Sequence, residues 1–132
     1  MDARRWETNR FACALARIQG WFYLLTGIWP LVAGNSFQRV TGFKTDFWLA
    51  QTVGFLLTVS GLVMIRAARK RRVTPEIALL ATLQAAGLIV VDISCVQMPG
   101  TTRVYLLDAM AEIVLVLGWL AIWRVHRAAG KP

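Results

Sequence analysis

Four apolar stretches, 18–34, 47–65, 77–98 and 104–123, dominate the chain, and short clusters of charged or turn-forming residues separate them. At ~1.5 Å of rise per helical residue, roughly twenty residues cross a hydrocarbon core of ~30 Å. A soluble domain would spread its charge along amphipathic helices or alternating strands. Backbone amides in lipid must be satisfied within their own segment, which leaves helices for runs of this length. The expected fold is therefore all-α: an integral membrane antiparallel four-helix bundle, with residues 1–132 as a single membrane domain.

Charge sets the orientation. The formal net charge is +8, yet no basic fold signature accompanies it, so nucleic acid is excluded as a partner. Four Lys or Arg precede the first stretch, five lie in the loop 66–73 and three follow the last stretch, making twelve on one side. Arg39, Lys44 and Arg103 make three on the other. Under the positive-inside rule, twelve against three predicts a multi-pass protein of the inner (plasma) membrane with both termini cytoplasmic. The loop 66–73 becomes a cytoplasmic anchor facing anionic lipid. A signal-peptide reading of the first stretch is disfavoured by its aromatics and Pro30.

With that topology the acids converge. Asp108 and Glu112 are four residues apart, hence on one helical face, about 6 Å and 12 Å below Val104. Asp92 falls roughly 22 Å along the third span, in its outer third, and Asp46 at the outer boundary. The candidate ligand-binding set is Asp46, Asp92, Asp108 and Glu112, with Gln51, Arg103 and Trp29 beside them. Intramembrane acids face a bundle interior, a water-filled cavity or a polar partner. Three readings follow. The acids bind or transport a small cationic or polar ligand from the outer side. Alternatively they are helix-packing contacts of a structural or assembly subunit, paired with Arg103, Lys44, Gln51 or the Tyr105 hydroxyl. In the third, Asp108 and Glu112 serve as acid and base in a lipid-modifying enzyme. No nucleophile motif or metal-ligand set accompanies them, so no catalytic residue, metal or cofactor is assigned. The partners admitted are membrane lipids, the small ligand and a further copy of the chain.

Local signals add detail. Gly20, Leu24, Gly27 and Leu31 form a small-residue strip, and Gln51, Gly54, Thr58 and Gly61 share a face suited to close packing. Pro30 should kink or end the first helix, and 35–46 reads as a loop or interfacial turn with a Thr45-Asp46 cap. Thr74-Pro75-Glu76 restarts a helix, and Pro99-Gly100 breaks one. His126 is expected at an exposed interface. Cys13 and Cys95 fall on opposite sides of the bilayer and form no disulfide.

Several strings, GWFYLLTGIWPL at 20–31, VTGFKTDFWLAQTVGFLL at 40–57, TPEIALL at 74–80 and VYLLDAMAE at 104–112, resemble a group of small bacterial four-helix membrane proteins. The resemblance implies four spans and a bacterial inner-membrane home. It supplies no activity, since none is established for that group. Trp29, Pro30, Lys44, Asp46, Asp108 and Glu112 lie within those strings. Small multidrug exporters carry an essential Glu in their first span, whereas this chain has no acid between Glu7 and Asp46. Sterol-isomerase-like membrane domains share four helices and buried acids, by analogy alone.

Overall fold

The computed structural model describes residues 9–41, 47–97 and 103–129. Among the described residues there are five helices and no strand: α1 (Arg10–Val32), α2 (Gly34–Thr41), α3 (Phe47–Arg69), α4 (Pro75–Val96) and α5 (Val104–Ala129). All but α2 are long and apolar enough to cross a membrane. Their leucines point outward: Leu62, Leu83, Leu107 and Leu117 are each more than half exposed, whereas Gln19, Asp92 and Glu112 are buried. In water such a surface would be an aggregation liability, but lipid tails are as apolar as leucine.

The helix ends have identifiable causes. Asn9 Oδ1 accepts hydrogen bonds from the amides of Phe11 and Ala12, so α1 begins at Arg10 rather than near Ile18. It stops at Val32, two residues past Pro30. The segment expected as a loop contains the helix α2. Its composition is a poor helix former, and aromatic packing holds it: Phe37 meets Trp29 edge-on at 5.4 Å and Phe47 at 6.1 Å. The expected Thr45-Asp46 cap and Pro99-Gly100 break lie outside the described residues.

Helix α3 runs into the basic cluster and ends there in a Schellman arrangement. The Arg72 amide donates to Ala67 O and the Arg71 amide to Ala68 O. Arg71 adopts φ 52, the left-handed conformation usually given to glycine. Thr74 then caps α4, accepting from the Ile77 amide at 3.3 Å with Pro75 in the first position. Helix α5 continues through the expected tail to Ala129. One consequence corrects the expectation for His126. It lies seven residues beyond Trp119, on the same helical face, and is buried, its Nδ1 donating to Ile122 O at 2.9 Å.

Two helix pairs make up the bundle: α1 packs chiefly on α3, and α4 chiefly on α5. In the first pair Gly20 abuts Gly61 while Gly27 abuts Gly54, so the helices run in opposite senses. In the second, Trp123 Nε1 donates to Thr82 Oγ1 at 3.2 Å, and Asp92 meets Asp108, so these too run in opposite senses. Because Gln19 on α1 contacts Ala81 on α4 and Trp119 on α5, the start of α1, the end of α3, the start of α4 and the end of α5 share one end of the bundle. That end carries Arg10, Arg17, Arg66, Arg69, Lys70, Arg71, Arg72, Arg124 and Arg127. Its core is built around Trp119, Tyr23 and Met64, filled in by Ala12, Ala16, Ala68, Ala78 and Ala81. Small residues let the backbones approach, and one large ring occupies the space they leave.

Candidate functional site

The polar interior begins with residues on α1. Gln19 and Tyr23 are four apart, one helical turn, and both are fully buried. On α5, Glu112 and Trp119 are seven apart, two turns on one face, and both are also fully buried. Apposing these two faces joins them in pairs. The Tyr23 hydroxyl donates to Glu112 Oε2 at 2.9 Å, and Trp119 Nε1 donates to Gln19 Oε1 at 2.6 Å. Gln19 Nε2 in turn donates to Ala81 O on α4 at 2.9 Å. One glutamine thus ties three helices, using its acceptor toward α5 and its donor toward α4.

The carboxyl groups sit toward the other end, away from the arginines. The side chains of Asp92 on α4 and Asp108 on α5 lie against one another. Asp92 is buried and Asp108 half-buried. Glu112, one turn deeper than Asp108 on the same helix, has no exposed surface. Among the described residues, three buried oxygens are left without a hydrogen-bond partner: Asp92 Oδ2, Glu112 Oε1 and Gln84 Oε1. An unsatisfied buried acceptor costs about 1–3 kcal/mol. The orphaned atoms include both fully enclosed acids, so the cost falls on the site itself.

The remaining sequence candidates distribute as follows. Trp29 is half-buried, and its indole donates to Ser36 Oγ at 3.3 Å, so its polar contact is to α2. Gln51 is half-buried on α3, and Arg103 is exposed just before α5. Asp46 and Lys44 lie outside the described residues. Among the described residues no group of three metal-ligating side chains is assembled. The hydroxyl on Glu112 comes from Tyr23, not from Tyr105. Gln19 and Trp119 were missed altogether. A signal was present, since Gln19 is a lone amide in an apolar run, but its partner is 100 residues away.

The fold and the site define a class: an all-helical protein with four candidate transmembrane helices and a carboxyl cluster enclosed at one end. No family model matches the chain, and no curated protein or solved structure gives a significant match. What the cluster does has to be argued from its geometry.

Proposed function

We propose that the chain is a multi-pass inner-membrane protein, N- and C-termini cytoplasmic, whose Asp92, Asp108 and Glu112 form an acidic site in the outer half of an antiparallel four-helix bundle, binding or transporting a small cationic or polar ligand. The observation that carries this reading is the pair of orphaned carboxylate oxygens, Asp92 Oδ2 and Glu112 Oε1. A cation or hydrogen-bond donor reaching them would satisfy both at once. Tyr23 holds Glu112 in position, and half-buried Asp108 is the most exposed member of the cluster. The clustering of basic residues at the opposite end supports the orientation through the positive-inside rule.

Calorimetric titration of the detergent-purified protein with methylammonium and with tetraphenylphosphonium, a small and a bulky cation, tests the site. Saturable binding of one probe, abolished in Asp92→Asn/Glu112→Gln while gel filtration stays unchanged, is expected. Equal binding by the double variant sinks the proposal. Orientation is checked separately by thiol labelling in intact cells. Ser36→Cys should react from outside and Lys70→Cys only after permeabilisation; the reverse pattern overturns the topology.

A second reading is favoured by the Tyr23–Glu112 bond, which joins α1 to α5. In this reading the acids are helix-packing contacts of a structural or assembly subunit. It predicts that the double variant loses its folded gel-filtration peak and that neither cation binds the unmodified protein.

A further inference from the structure

Away from the acids, at the basic end, α4 and α5 enclose an open groove of about 830 Å³. Leu79 on α4 and Leu117, Leu120 and Trp123 on α5 form its apolar floor, and Arg124 and Arg127 close one end. The two arginines are three residues apart, so they project from one side of the helix. Because α5 stays helical to Ala129, both are held on a rigid element. Both are exposed. Polar atoms of the floor are occupied internally: Trp123 Nε1 donates to Thr82 Oγ1, and Thr82 Oγ1 donates to Ala78 O. The floor therefore offers carbon, and the end offers two guanidinium groups.

Dimensions identify the occupant. From Leu117 to Trp123 the apolar floor follows α5 for about 9 Å, and the stretch to Arg127 adds roughly 6 Å, together about half of a hydrocarbon core of ~30 Å. An apolar slot closed by two planar donors that fit phosphate oxygens is complementary to a lipid with an anionic phosphodiester. We propose that this groove is a binding site for one anionic glycerophospholipid, its acyl chain along Leu117 and Leu120 and its phosphate between Arg124 and Arg127. The site is separate from the carboxyl cluster and does not depend on what that cluster binds.

Native mass spectrometry of the delipidated protein in detergent, titrated with dioleoylphosphatidylglycerol or dioleoylphosphatidylcholine, tests it. The glycerol lipid should bind first, as a single adduct, and Arg124→Gln/Arg127→Gln should weaken it about thirtyfold. The control Arg69→Gln/Arg72→Gln removes the same charge outside the groove and should leave that adduct intact. Leu120→Trp, which fills the floor but keeps both arginines, should also displace the lipid. Equal uptake of the choline lipid, equal losses in the two double variants, or undiminished binding by Leu120→Trp would each overturn the proposal. Displacement by millimolar glycerol 3-phosphate would overturn it too, because the acyl groove would then be idle. Circular dichroism and gel filtration confirm that each variant is folded.

Discussion

The two helix pairs meet by different means. Between α1 and α3 the contact is backbone on backbone: a methyl group built on Gly27 would lie 2.5 Å from Gly54 O, and one on Gly61 would lie 2.6 Å from Gly20 O. Between α4 and α5 polar side chains meet: the Trp123 indole donates to the Thr82 hydroxyl, and Asp92 lies near Asp108. Gly87, by contrast, is exposed on the outer face of α4, with nothing within 4 Å of where its methyl would stand. The first pair is closed by shape. The second carries the polar groups, and both Asp92 with Asp108 and the lipid-sized groove are found there. Glycine seams and polar sites divide the labour between fastening and binding.

Breaking the seam should have the largest effect. Gly27→Leu puts a branched side chain where even a methyl group clashes with backbone, and the expected result is loss of the folded protein in detergent. Gly27→Ala should cost about 1–3 kcal/mol by forcing the helices apart, read as a lower SDS concentration at half-unfolding. Gly87→Ala, on the exposed face of α4, serves as the control and should be neutral or stabilising by up to ~1 kcal/mol. If the two alanine variants behave alike, the α1–α3 seam is not closed by shape.

The links between pairs come next. Tyr23→Phe leaves Glu112 with neither oxygen paired, and Trp119→Phe frees the Gln19 carbonyl; each should cost about 1–2 kcal/mol in the same assay. Glu112→Gln should restore part of the first loss when combined with Tyr23→Phe, because an amide can donate as well as accept and so has more ways to find a partner. Absence of that coupling would mean that Tyr23 contributes packing alone. The smallest effect belongs to the helix end: Arg71→Gly removes the left-handed strain and should stabilise by about 1 kcal/mol. An unchanged or lower stability would show that Arg71's side chain outweighs its backbone.

Much of this was legible in the residues. Four apolar runs predict long helices because lipid-length segments have no other way to pair their amides. The strip of Gly20 and Gly27, and the facing Gly54, Thr58 and Gly61, predict close contact because small residues at helical spacing leave room for a neighbour. Both come together in α1 and α3. Thr74 and Pro75 start α4 where their chemistry says a helix should start. These are local signals, readable within one or two turns.

The site was legible only in part. Spacing put Asp108 and Glu112 on one face, but pairing Asp92 with Asp108 and giving Glu112 the Tyr23 hydroxyl are decisions of the folded bundle. So are the joining of Gln19 to Trp119, the burial of His126 and the turn of 34–41 into a helix. The physical reason is the same in each case. Periodicity records which side chains share a face, but a hydrogen bond between faces depends on the rotation and offset of two helices. Those are set by packing residues up to 100 positions apart. The sequence by itself determined four apolar helices, their end signals and the small-residue seam; only the tertiary structure decided which oxygens in the interior would find a partner and which would be left open.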